Sequence, residues 1–305
     1  MTDHPNPAPL SVIIPAYRAE GTIDRALASV AAQSIKPYEV IVVDDGSPDG
    51  TLKAAQGMSD SMGSIKLKII GQENKGAGAA RNRALQEASQ EYVAFLDADD
   101  EWMPEKIEQS LEWIKSSDNV FVAHDLIQRN EDGTEQDIKS SERFKNASDP
   151  YIALYRTGFV GSITVVARRQ AIEAAGGFDE TLPTGQDFDL WLSMLASPQT
   201  RFLVFDQRLS RYYISASGIT SHTARRLDCT LRIAIRHFPA LKSRTGSPWT
   251  SLWFRILAIH MEAYRAFRAS GKRLQALKVC LMLPVNMVSA CWQVSVPVSR
   301  MRQNT

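Results

Sequence analysis

Acidic residues stand where the chain changes character. Asp44-Asp45 ends the apolar run 38–44 (YEVIVVD), Asp97, Asp99 and Asp100 follow 91–96 (EYVAFL), and Asp187 opens QDFDLWLSML. Side chains at the carboxyl ends of neighbouring strands converge on one rim, and clustered carboxylates repel unless cations or hydrogen-bond donors offset them. A divalent cation is the simplest remedy. Asp97-Ala98-Asp99 puts two carboxylates within reach of one hard ion, and Mg²⁺ or Mn²⁺ also binds diphosphate oxygens while keeping some waters. Asp99 or Asp100 could instead cap a helix starting near Pro104, but three carboxylates in four residues exceed what a cap needs.

Phosphate has a candidate partner in NKGAGAARNRA at 74–84, where Gly76 and Gly78 precede a helix and Lys75 and Arg81 add charge. Unhindered backbone N–H groups at a helix start face anions well, although a plain turn and an alanine-rich packing helix fit the same letters. The glycines follow the third apolar run, and the first turn reads PAYRAEG. A nicotinamide-binding fingerprint is therefore absent. Tyr17 offers a ring face to a nucleobase, and a carboxylate such as Asp45 accepts the ring N–H of uracil, which favours a uridine donor.

On the second-substrate side, Asp187 can serve as a general base for an acceptor hydroxyl or as a helix cap. Trp191 falls one turn further, where an indole could pack on an acceptor sugar or in the core. The Gly- and Ser-bearing segment 211–222 has the composition of a mobile loop able to close over the donor, bringing His222 to the diphosphate. His124, on an expected strand, reads as structural.

These groups need a frame, and the apolar pattern supplies one. Runs at 10–16, 38–44, 67–70 and 91–96 alternate with helical spacing at 23–31, 77–89 and beyond Pro104. Strand–helix alternation over the first 116 residues predicts an α/β fold with a doubly wound, mostly parallel sheet. After residue 119, VFVAHDLI, the turn NEDG at 130–133, SITVVA at 162–167 and RFLVF at 201–205 predict a mixed sheet, and from about 221 the chain reads as a helical C-terminal extension. The expected organisation is one transferase-sized domain over 1–220, with a donor half at 10–116 and an acceptor half at 117–220, followed by 221–305.

The chain has 305 residues and a net charge of +1 from 35 Lys and Arg against 34 Asp and Glu, a balance that argues against nucleic acid as a partner. Three widely spaced cysteines fit no metal or disulfide pattern, and no basic-then-apolar leader opens the sequence, so a cytoplasmic protein is expected. The segment 279–298 has no formally charged residue and is about long enough to cross a bilayer. Pro284, Asn286, Gln293 and Pro297 interrupt it, while Lys272, Arg273, Lys278, Arg300 and Arg302 flank it. The favoured expectation is a segment lying on an anionic membrane surface, ahead of core packing or a span.

SVIIPAYRAEGTI, VIVVDDGSPDGT, NKGAGAARNRAL and YVAFLDADDEWMPEKI, in that order, resemble the donor-binding half of family 2 glycosyltransferases with a GT-A fold. GGFDETLPTGQDFDLWL at 176–192 resembles that family's acceptor and catalytic-base segment. The resemblance implies an inverting, metal-dependent transferase that moves one sugar from a nucleotide-diphosphate donor to a saccharide or lipid-linked acceptor in cell-surface polysaccharide synthesis. Pro15, Ala16 and Tyr17 would border the nucleobase and Asp45 would bond it. Glu20, Gly76 and Arg81 would complete the donor side, Asp97 would approach the ribose, Asp99 would ligate the metal, and Asp187 would be the base. Asp100, Trp191 and His222 are acceptor or lid candidates. The family usually has Glu-Asp where this chain has Gln186-Asp187, so a lower Asp187 pKa is expected. The processive synthases' Gln/Arg-x-x-Arg-Trp motif is absent, which favours single-sugar transfer. A phosphorelay receiver would be too short, and a nucleotidyltransferase would need a Gly- and Arg-rich first loop where PAYRAEGTI offers only Arg18. A non-catalytic binder of sugar nucleotides is the remaining alternative.

Overall fold

The computed structural model describes residues 7–214 and 222–296. The first half alternates β1 (Ala8–Ala16), α1 (Ile23–Ala31), β2 (Pro37–Asp44), α2 (Thr51–Gly57), β3 (Lys66–Gly71), α3 (Ala77–Glu87) and β4 (Tyr92–Phe95). β5 (Glu101–Trp102) and α4 (Lys106–Lys115) follow. The second half contains β6 (Phe121–Arg129), β7 (Glu135–Ile138), α5 (Ser140–Lys145), α6 (Pro150–Thr157), β8 (Val166–Arg168), α7 (Arg169–Ala174), α8 (Gln186–Met194) and β9 (Phe202–Tyr213). The chain then turns helical through α9 (Thr223–Arg236), α10 (Phe238–Leu241), α11 (Pro248–Ala269) and α12 (Arg273–Ser295).

Among the described residues all the strands join one sheet in the order β3-β2-β1-β4-β8-β6-β9-β5, with β7 paired to β6. β3, β2, β1 and β4 are mutually parallel, β8 runs antiparallel to β4 and β6, and β6 is parallel to β9. The Val- and Ile-rich runs are buried on both faces: Ile13, Ile41, Val43 and Phe95 point into one apolar cluster, Val12, Ile14, Val40 and Val42 into the other. Alternate side chains face opposite sides of a strand, so a strand covered twice must be apolar throughout. With the parallel strands sharing one direction, their carboxyl ends deliver Ala16, Asp44 and Phe95 to a common rim.

Three local expectations change. SITVVA divides into a 3₁₀ turn at Ser162–Thr164 and the short β8. Arg211–Tyr213 belong to β9, paired with Ile127–Arg129 of β6, because consecutive tyrosines suit a pleated surface and the ladder satisfies their backbone groups. Of the expected closing loop, 215–221 lies outside the described residues. Pro284 does not break the tail: α12 runs continuously through it, its packing on α11 and the core outweighing the lost backbone bond and the ring's crowding of the preceding turn. Pro297, Arg300 and Arg302 lie outside the described residues.

Candidate active site

Three strand ends are stitched around Asp45. The turn after β1 holds Arg18 at φ +54, its N–H donating to Ser47 Oγ at 3.0 Å, while Ala19 N–H donates to Thr51 Oγ1 at 2.8 Å. Gly50 N–H donates to Glu20 Oε2 at 3.0 Å, so Glu20 braces the turn following β2. Pro15 and Ala16 end β1 beneath this turn, and Tyr17 stands 46% exposed with the Arg18 guanidinium 5.3 Å from its ring centroid. An exposed aromatic at a strand end is available for stacking.

The buried Asp45 carboxylate accepts from Gln72 Nε2 (2.8 Å), Lys75 N–H (2.9 Å) and Gly76 N–H (2.8 Å). This corrects the expected phosphate cradle. In this structure the N–H groups of Lys75 and Gly76 are committed to Asp45, and Gly76 serves the turn with its φ of +90. Gly78 lies close to the start of α8: a Cβ there would sit 3.4 Å from both Asp179 O and Gln186 Cγ, in ordinary contact.

The second strand-end group forms the floor. Asp97 Oδ1 lies 2.7 Å from Arg81 Nη2 and Asp97 Oδ2 3.5 Å from Ser162 Oγ. Arg81 is buried; its charge lowers the carboxyl pKa values of Asp99 and Asp187, so it is a shared cation among the three acids. Expected on the diphosphate side, Arg81 makes its ion pair with Asp97. Burial, followed by the charge of Asp97, pushes the Asp99 carboxyl up to about 6. Arg25 of α1 donates to the Asp99 carbonyl and stacks 3.9 Å from the Tyr213 ring centroid. Among the described residues no three His, Cys, Asp or Glu side chains form a ready metal cage. Burial and the charge of Asp97 leave the Asp99 carboxylate only partly compensated by Arg81, so it is the oxygen donor a hard ion would find here, with a diphosphate and water to complete the shell.

Asp100 and Trp191 are corrected. Asp100 is fully buried, with Oδ1 accepting Tyr213 N–H at 2.8 Å, so it ties the β4–β5 turn to β9 and does not face an acceptor. Among the described residues its other oxygen has no hydrogen-bond partner, and burial beside Asp97 and Asp99 raises its pKa well above the usual range. Trp191 is 0% exposed, packed against Phe95 and Phe121 at centroid distances of 5.8 and 5.3 Å. Residues four apart share a helix stripe, but α8 dips into the core within its first turn.

Asp187 is the second residue of α8, whose N-cap is Gly185 at φ +77, so Asp187 is not the cap. One of its oxygens accepts from Phe188 N–H at 2.8 Å. Burial raises its pKa, with the Arg81 charge opposing. The lowered value expected from an uncharged Gln186 is thus overridden, because desolvation outweighs the missing neighbour. Gln186 turns inward, donating to Leu182 O at 2.7 Å. His222 is exposed at the start of α9. His124 is fully buried and pushed down to about 3 by that burial.

Sequence reasoning missed two devices, one joining the donor and acceptor halves and one joining the acceptor half to the helical extension. Asn82 Nδ2 donates to Phe178 O (2.9 Å) and Glu180 Oε1 (2.8 Å), and Phe178 N–H returns a bond to Asn82 Oδ1 (2.9 Å). Asp189 accepts from Arg236 Nη1 and pairs with His237 Nε2, both at 2.8 Å, while Arg236 Nη2 reaches Asp179 at 2.6 Å. Asn82 sits inside the ARNRA block and Asp189 two residues from Asp187, so both lay in view; their long-range partners did not.

A mixed sheet whose parallel strands β3-β2-β1-β4 gather their carboxyl ends, and the acids beyond them, on one rim is the arrangement of a GT-A-type fold. The chain belongs to glycosyl transferase family 2, whose family model matches residues 11–175. It is 33% identical over 216 residues to TuaG of Bacillus subtilis, named for teichuronic acid biosynthesis, covering 70% of this chain and 82% of that protein. It is 30% identical over 219 residues to WfgD of Escherichia coli, a UDP-Glc:alpha-D-GlcNAc-diphosphoundecaprenol beta-1,3-glucosyltransferase, covering 72% and 82%. Among solved structures, Staphylococcus aureus TarS with UDP-GlcNAc superposes with a TM-score of 0.65 at 20% identity, over 93% of this chain and 88% of that one. The mannosyltransferase PcManGT of Pyrobaculum calidifontis, with GDP-Man and Mn²⁺, gives 0.62 at 20% identity over 94% and 88%. The protein is a glycosyltransferase with this shared fold.

Proposed function

We propose that residues 1–220 catalyse inverting transfer of one sugar from a nucleotide-diphosphate donor, a UDP-sugar by the chemistry around Tyr17 and Asp45, to a saccharide or lipid-linked saccharide during cell-surface polysaccharide synthesis, at the inner face of the membrane, while 221–305 form a helical extension. The observation that carries this reading is the raised, recessed carboxylate of Asp187 sharing Arg81 with Asp97 and Asp99. The relatives acting in polysaccharide synthesis, and the diphosphoundecaprenol acceptor in the name of one of them, support the acceptor class.

Tyr17 stacks on the base, Pro15 and Ala16 border it, and Glu20 holds the adjoining turn. Asp45 accepts from the base, which requires exchange of part of its loop bonding, and Gly76 moves with that loop. Asp97 turns toward the ribose and Asp99 holds Mg²⁺ or Mn²⁺. A divalent cation bound there offsets the charge that gathers on the departing diphosphate. Asp187 takes the proton from an acceptor hydroxyl as its oxygen bonds to the anomeric carbon; the bond to the diphosphate oxygen breaks on the opposite face and the nucleoside diphosphate leaves. Arg81 keeps Asp187 ionised and holds Asp97 in register. His222 is the diphosphate-side candidate. Purified protein incubated with a panel of nucleotide sugars and Mn²⁺ should release nucleoside diphosphate with one of them; release of pyrophosphate instead would point to nucleotidyl transfer.

A further inference from the structure

Helix α12 is apolar on both sides. Its inner face buries Ala276, Val279 and Ala290, with Leu283 and Met287 packed against the main core. Its outer face presents Leu274, Leu277, Leu281, Val285, Val288 and Trp292, recurring every three or four residues along a helix about 35 Å long. Leu274 is 85% and Val288 71% exposed. A soluble helix normally turns such a stripe inward, and a stripe of this length left in water marks an interaction face. Helix α11 adds Trp253, Phe254, Leu257 and Met261, all exposed. The two apolar faces meet where Trp253 Nε1–H donates to Cys291 Sγ at 3.4 Å, beside Trp292.

We infer that the α11–α12 hairpin is a two-helix platform that docks, still folded, on an anionic bilayer surface. Charge selects this occupant. Arg265, Arg268, Lys272, Arg273 and Lys278 are exposed around the turn between the helices, and α12 contains no Asp or Glu. The acid of α11, Glu262, is paired with Arg226 at 3.0 Å. A second copy of this chain would bring the same surface and hence no carboxylates from α12 to meet these cations, whereas acidic headgroups meet them directly. Trp292 and Trp253 suit the headgroup level, where amphipathic rings concentrate. Length would allow α12 to span, but a span would strip Ala290, Leu283 and Met287 from the core they cover, so the helix lies in the plane with its outer face inserted. The docking surface stands on the helices alone; its use, to hold the site over a lipid-borne acceptor, rests on the function proposed above.

The full chain should float with vesicles of phosphatidylglycerol and phosphatidylcholine at low salt and far less with phosphatidylcholine alone. Brominated lipid should quench its tryptophan emission, less so in Trp292→Phe. The triple variant Leu277→Glu, Leu281→Glu, Val288→Glu and the variant Lys272→Glu, Arg273→Glu, Lys278→Glu should each lower partitioning at least about 10²-fold. All these positions are exposed, so melting temperature should hold, and transfer to a water-soluble acceptor should persist in both. Absence of that transfer in the wild-type chain, its flotation intact, would count against the site reading and leave the docking standing. A wild-type chain that stays out of anionic vesicles, or sediments as a dimer that the apolar-face variant converts to monomer, overturns the inference.

Discussion

Arg81 Nη2 sits 2.7 Å from Asp97 Oδ1, making one buried guanidinium the common counter-charge of Asp97 and Asp187. Arg81→Gln keeps some hydrogen bonding and removes the charge. Losing one partner of a buried pair is destabilising; because Asp97 is partly open to solvent, a cost of about 2 kcal/mol is expected, at the low side of such losses. Without that cation the Asp187 carboxyl also rises further, so the acid limb of the pH–turnover profile should move to higher pH. Thermal unfolding and a pH–rate profile check both; an unmoved acid limb would separate Arg81 from Asp187.

Binding and chemistry separate between two carboxylates. Asp99→Asn should abolish metal-dependent donor binding, whereas Asp187→Asn should keep donor affinity within about threefold and lower turnover by at least ~10²-fold. Calorimetry with and without Mn²⁺ and single-turnover rates distinguish them. More than about a tenth of wild-type turnover in Asp187→Asn would place the base elsewhere.

Protons and cations compete for Asp99. Its folded pKa of about 6 lies above the ordinary 3.8, so the native state binds more protons there than the unfolded chain. Metal-free stability from this group therefore falls as pH rises from about 4 through 6, the reverse of an acid held low by a salt bridge. Mn²⁺ affinity in the presence of nucleoside diphosphate should rise with pH up to about 6 and level off above it. Affinity independent of pH between 5 and 7 would exclude Asp99 as the titrating ligand.

The Asn82 latch couples the halves. Asn82→Ala removes its three bonds to the segment holding Phe178 and Glu180 and should cost about 1–3 kcal/mol. Turnover should fall more than donor affinity, since α3 and Asp45 keep their places while the approach to Asp187 loosens. Equal loss in both would mean that the donor loop depends on the latch as well.

Backbone congestion guards the turn after β2. Gly46 has a φ of +69, and a Cβ there would come within 2.9 Å of Asn74 N. Gly46→Ala must shift the loop that supplies the Gln72, Lys75 and Gly76 bonds to Asp45, so stability should drop by more than 1 kcal/mol, roughly, and donor affinity with it. An unchanged melting temperature would show that the loop yields freely.

Apolar runs, helical spacing and acids at run ends were enough to place β1–β4, α1 and α3 and to put Asp45, Asp97 and Asp99 on one rim, because period and strand direction are local properties that the chain carries in its letters. Asp187 was legible as a helix-start acid for the same reason. What Trp191 and Asp100 face was not: a residue's side of a helix follows from spacing, but whether that side meets solvent or Phe95 depends on how α8 seats against the sheet. Arg81 reads as a phosphate ligand in sequence and becomes the partner of Asp97 only when α3 is laid beside β4. The continuity of α12 through Pro284 was likewise decided by packing, where contacts with α11 and the core outweigh one missing backbone bond. Local chemistry is written along the chain, while the pairing of charges and the burial that sets their pKa values arise between segments far apart in it.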